Sequence, residues 1–109
     1  MSGPFDEIAA LDRVVHEPVR LAMLTALEAC RSADFPFLQH LLGLTNGNAS
    51  AHLAKLEEAG LVDVTKTFKG RVPRTVYRLT RQGRASLQRH WQQLDELRRA
   101  ASTLAPHPD

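Results

Sequence analysis

The chain has 109 residues, 43% hydrophobic and 24% charged, with a net charge of +2. That suits one domain over 1–109 with a modest core, and no apolar run approaches the roughly 20 residues a bilayer span needs. The start, Met-Ser-Gly-Pro-Phe-Asp-Glu, lacks the basic and apolar regions of a secretory signal, and a lone Cys30 makes no intrachain disulfide, so the expected compartment is cytoplasmic.

Phe5, Ile8, Leu11, Val14 and Val15 share one helical face, which predicts a short helix over 5–15. Pro18 suits the first position of a second helix, where its missing N–H costs nothing. Val19, Leu21, Met23, Leu24, Leu27 and Ala29/Cys30 carry that helix, and Cys30 is expected to be buried. Arg31–Asp34 reads as a polar link, with Ala33–Phe35 a short strand. Phe35–Leu42 opens a third helix, with Leu38, Leu41 and Leu42 turned inward and Gly43 as its stop. A fourth helix over 46–59 places Ala49, Leu53, Leu56 and Gly60 on one stripe, with Gly60 as a left-handed cap.

After Gly60 the period changes. Residues 61–68 and 75–80 are rich in β-branched side chains, and Lys69-Gly70-Arg71-Val72-Pro73-Arg74 separates them, which predicts a β-hairpin with a long tip. Thr80 then caps a last helix over 81–104. The resulting fold class is mainly α with a small β-hairpin (α+β), in the order of a winged helix-turn-helix: a core over 18–80 and a long terminal helix.

Charge follows the same division. Residues 1–60 hold four Lys/Arg against eight Asp/Glu, whereas 61–81 hold Lys66, Lys69, Arg71, Arg74, Arg78 and Arg81 against Asp63 alone. On charge alone the segment is either a polyanion patch or a solvated loop. The start of the fourth helix adds a second indication. Asn46, Gly47, Asn48, Ser50 and Ala51 are poor helix formers, but they are small or hydrogen-bonding, as a turn entering the major groove requires. His52 and Lys55 lie further along the outer face. The competing reading is a capping turn and nothing more.

The stretch from Pro18 to Thr80 resembles the winged-helix bacterial regulators of the MarR and ArsR type, and especially their small stand-alone winged helix DNA-binding relatives. The residues that carry this are Glu17-Pro18-Val19-Arg20-Leu21-Ala22-Met23-Leu24, the run Asn48–Val62 containing Ser50, His52, Leu53, Leu56, Glu57 and Gly60, and Arg74–Arg84. The resemblance implies a homodimer on double-stranded DNA, a pseudo-palindromic operator and a role in transcription regulation. Small regulators of this type often answer to a small-molecule effector. Position by position it puts Asn48, Ser50, Ala51, His52 and Lys55 toward the groove or its flanking phosphates. It puts Lys69, Arg71 and Arg74 on the wing, with Lys66 on the strand leading to it. Arg78 is open between a phosphate contact and an internal salt bridge.

Dimerisation has its own sequence argument. Leu87, Trp91, Leu94, Leu97, Ala101 and Leu104 form a stripe over nearly five turns, and Ile8, Leu11 and Val15 form another. Left uncovered, these would be large apolar patches; either the last helix folds back on its own domain or the stripes pair across a two-fold axis, which also matches operator symmetry. Five histidines and one cysteine show no metal-ligand spacing, so neither a metal nor a cofactor is expected. No catalytic or phosphate-loop pattern occurs, so an enzyme is not expected. The alternative function is a winged-helix protein–protein module without specific DNA binding.

Overall fold

The computed structural model describes residues 11–108. Its elements are α1 (Arg13–His16), α2 (Pro18–Cys30), β1 (Ser32–Asp34), α3 (Phe35–Leu42), α4 (Asn46–Glu58), β2 (Val62–Lys69), β3 (Val72–Leu79) and α5 (Arg81–Ser102). Side chains set most of the helix starts. Asp12, Glu17, Asp34, Thr45 and Thr80 each accept a backbone N–H of the first turn of α1, α2, α3, α4 and α5 respectively. Each such cap contributes about 1 kcal/mol. Pro18 does occupy the start of α2. Gly43 ends α3 at φ 63°, and Gly60 follows α4 at φ 75°, backbone that a side chain disfavours.

The strands form one antiparallel sheet in the order β1-β3-β2. Val62 pairs with Leu79 and the ladder runs to Lys69 opposite Val72. Only Gly70 and Arg71 then form the turn, with Gly70 supplying a φ of 66°. The expected tip over 69–74 is therefore mostly strand. The short strand arrives one residue earlier than expected, at Ser32–Asp34, and Asp34 lies opposite Val76.

Met23, Leu24, Leu27, Leu38, Leu53, Leu56, Leu61, Val62, Tyr77 and Leu87 form the core where α2, α3, α4, the sheet and the start of α5 meet. The predicted stripe of α4 is there: Ala49, Leu53 and Leu56 are buried. Several expectations need correction. Of the helix expected over 5–15, residues 5–10, with Phe5 and Ile8, lie outside the described residues; among the rest, Asp12 caps a helix over Arg13–His16, which runs one residue past the expected end. Leu41 is exposed rather than inward, because the eight-residue α3 turns Phe35, Leu38 and Leu42 toward the core and leaves Leu41 on the Phe37 side. Cys30 is exposed: it ends α2, where Arg31 turns the chain at φ 69°. The last helix stops at Ser102, two residues short of 104.

The junction between hairpin and α5 is close-packed. The Thr80 hydroxyl donates to the Gly60 carbonyl at 2.6 Å and accepts from Gly83 N–H at 2.9 Å, while Thr80 N–H donates to the Leu61 carbonyl at 3.1 Å. Gly83 lies against Leu61 so tightly that an added Cβ would stand 2.9 Å from the Leu61 carbonyl carbon and closer still to its oxygen.

Candidate nucleic-acid interface

Thr45 Oγ1 accepts from Asn48 N–H at 3.1 Å and fixes the start of α4. The residues after it are exposed: Asn46, Gly47, Asn48, Ser50, Ala51, Ala54 and Lys55. Burial of Ala49, Leu53 and Leu56 on the other side decides which face stays free. One residue of the expected set departs from it. His52 is half-buried and turns Nδ1 inward, 3.1 Å from Arg20 Nη1 and 3.4 Å from Glu17 Oε2. Its inward edge is occupied by α2.

Glu17 both caps α2 and faces His52. Its carboxylate accepts from Val19 N–H at 3.1 Å and Arg20 N–H at 2.9 Å. Burial raises its pKa, but these backbone donors, with the Arg20 guanidinium beside them, outweigh that and hold it below the usual carboxylate range.

On the wing, Lys66, Lys69, Arg71 and Arg74 are all exposed. They do not share one face. Paired residues of an antiparallel ladder point the same way and neighbours alternate. Lys69 with Val72 and Thr67 with Arg74 therefore lie on one face, and Lys66 with Thr75 and Phe68 with Pro73 on the other. Arg74 Nε also donates to Asp34 Oδ2 at 3.2 Å. Asp34 has its pKa lowered, first by the Phe37 N–H it caps and then, against some desolvation, by Arg74. Arg78, left open between two roles, is exposed on β3. The sequence reading missed the apolar part of the wing: Phe68 is 68% exposed and Val72 65%. Phe68 fell in the predicted strand 61–68 and Val72 in the predicted tip, and neither carried a signal of its own. The Asp34–Arg74 pair joins residues 40 apart and had no local signal.

The terminal stripe divides. Leu87 and Val15 are fully buried within the protomer, so they belong to its core rather than to a dimer face. Trp91 and Leu104 are exposed, and Leu94, Leu97 and Leu11 are half-buried. Trp91 borders a shallow, largely apolar groove of about 600 Å³ with Pro18, Leu21, Ala26, Leu41 and Leu42. His90 beside it is buried, with Nε2 3.4 Å from His16 Nδ1. Desolvation, then the neighbouring His16, lowers its pKa below 6.5 against a smaller pull from Asp12. Among the described residues no group of three or more His, Cys, Asp or Glu is placed to hold a metal, and no helix is long and apolar enough to cross a membrane.

A helix-turn-helix with an exposed polar second helix, followed by a cationic two-stranded wing and packed on a long helix, defines the class of winged-helix DNA-binding transcriptional regulators. The chain belongs to the winged helix DNA-binding domain family, which matches residues 19–98. It is 35% identical over 79 residues to an uncharacterized protein of Methanocaldococcus jannaschii, covering 72% of this chain and 85% of that one. Among solved structures, the transcriptional regulator homologue protein from Pyrococcus horikoshii OT3 superposes with a TM-score of 0.82 at 32% identity, covering 91% of this chain and 99% of that one. The PcaV transcriptional regulator from Streptomyces coelicolor shares the fold at a TM-score of 0.68 and 24% identity, over 87% of this chain and 67% of that one. The resemblance to MarR- and ArsR-type regulators, and the winged-helix fold class, are borne out.

Proposed function

We infer that this chain regulates transcription as a homodimer on a pseudo-palindromic DNA operator. The start of α4 (Asn46, Asn48, Ser50, Ala51, with Lys55 further along) enters the major groove. Lys66, Lys69, Arg71 and Arg74 serve the flanking groove or backbone. The observation that carries this is the first turn of α4. It is exposed, small and hydrogen-bonding, and the Thr45 cap holds it in place, although its sequence disfavours a helix. Support for the dimer comes from Trp91 of α5, 41% exposed beside an apolar groove, and from Leu104 just past the helix, 57% exposed, surface that a second copy would remove from water.

The test is binding to a duplex over a salt series. Neutralising six to ten phosphates gives a fall of about 10³–10⁵ in affinity between 50 and 200 mM salt. Sedimentation of the free chain and the complex reads the stoichiometry. One observation favours a second reading, a protein–protein module: the exposed Phe68 and Val72 at the wing tip. Absence of duplex binding at low salt would select it.

A further inference from the structure

Burial of Ala49, Leu53 and Leu56 sets which face of α4 meets the core. A directional tie comes from Arg20, whose side chain is only 11% exposed. All three nitrogens of its planar fork are engaged. Nε donates to the Val14 carbonyl at 2.8 Å, Nη2 to the Arg13 carbonyl at 3.4 Å, and Nη1 to His52 Nδ1 at 3.1 Å. The first two acceptors belong to the short α1, the third to α4. Glu17, whose Oε2 lies 4.0 Å from Nη1, balances the charge. Arginine only donates, so in this contact His52 Nδ1 is the accepting atom, and Glu17 Oε2 lies 3.4 Å from the same nitrogen. At its other end α1 meets α5 through His16 and His90.

We propose that Arg20 is a positioning residue that sets the rotation of α4 from the location of α1, with the Nδ1 edge of His52 as its grip on the helix. A displacement of α1 against α5 then reaches the exposed turn of α4 through one rigid guanidinium. The inference rests on the reading of α4 as the duplex-facing helix. It reassigns His52 from a residue facing the groove or its flanking phosphates to an anchor.

The experiment is a set of variants titrated against a duplex that the wild-type chain selects from a random pool, with circular dichroism to establish folding. Arg20→Gln and His52→Ala each weaken binding about tenfold, the scale of a hydrogen bond to a charged group. The double variant is no weaker than the worse single one, because both remove the same link. The salt slope of Arg20→Gln stays that of wild type, since no phosphate contact is lost. His52→Asn, whose amide oxygen replaces the Nδ1 acceptor, binds like wild type. His52→Gln, which reaches to Nε2 instead, binds like the alanine variant. Additive losses, a slope reduced by about one, or rescue by Gln and not Asn would each overturn the proposal. Should Arg20→Gln not fold, the Asn and Gln variants decide alone. A wild-type chain that binds no duplex removes the functional reading, and this inference with it.

Discussion

Replacing Gly83 by alanine tests the packing argument most directly. In an open helix the change would stabilise by up to about 1 kcal/mol, because glycine is the poorer helix former. Here the new Cβ would meet the Leu61 carbonyl carbon at 2.9 Å, against an ordinary carbon–carbon approach of about 3.5–4.0 Å. The obstacle is backbone and the Leu61 carbonyl oxygen is nearer still, so α5 itself must retreat by about an ångström. Retreat stretches Thr80 N–H to the Leu61 carbonyl and the Thr80 hydroxyl to Gly60, the two bonds that close the junction. Overpacking that forces backbone shifts costs about 1–3 kcal/mol, which outweighs the propensity gain. For a domain of this size each kcal/mol is about 4–8 °C, so a net loss of about 1–2 kcal/mol should lower the melting temperature by about 5–15 °C. Thermal and urea unfolding followed by circular dichroism read it. A Gly83→Ala chain that melts at or above wild type would refute the reasoning.

Gly47 provides the opposite case. It sits in α4 with nothing within 4 Å of an added Cβ, so Gly47→Ala should raise stability by about 0.5–1 kcal/mol while weakening duplex binding, as paired melting and titration would show. Lys69→Ala and Arg71→Ala should each weaken binding to all sequences alike and lower the salt slope by about one; a slope change in neither removes the wing from the interface. Stability should decline as pH falls below about 6.5, because the pKa of His90 lies lower folded than unfolded and the unfolded chain takes up the proton first. Glu17 and Asp34, both lowered by folding, add a second loss as pH drops below about 4.5 and 3.8. Urea midpoints between pH 8 and 3 read both arms, and His90→Gln should flatten the upper one. Trp91→Glu should shift the free chain toward monomer in sedimentation if α5 pairs with a second copy.

The sequence was most legible where one residue type meets one local need. Pro18, Gly43, Thr80 and the stripe Ala49–Leu53–Leu56 stand where their spacing put them. It was least legible where the answer lay far along the chain. Leu87 looks like Trp91 and Leu94 in any periodicity, yet the fold buries it against the core of its own protomer and leaves Trp91 outside. His52 has the spacing of an outer-face residue, yet its ring turns inward to Arg20, 32 positions earlier, and to Glu17. Gly83 reads as a blemish in a helix until the carbonyl of Leu61 is placed beside it.

The central position of β3 bears on how the hairpin moves. It holds β2 on one side and β1 on the other, and Asp34 at the end of β1 both grips Arg74 and caps α3. The hairpin is therefore a lever hinged to the first helix of the reading motif, not a free flap. A load applied at its far end arrives at the amide of Phe37, where the rate of hydrogen exchange would register it.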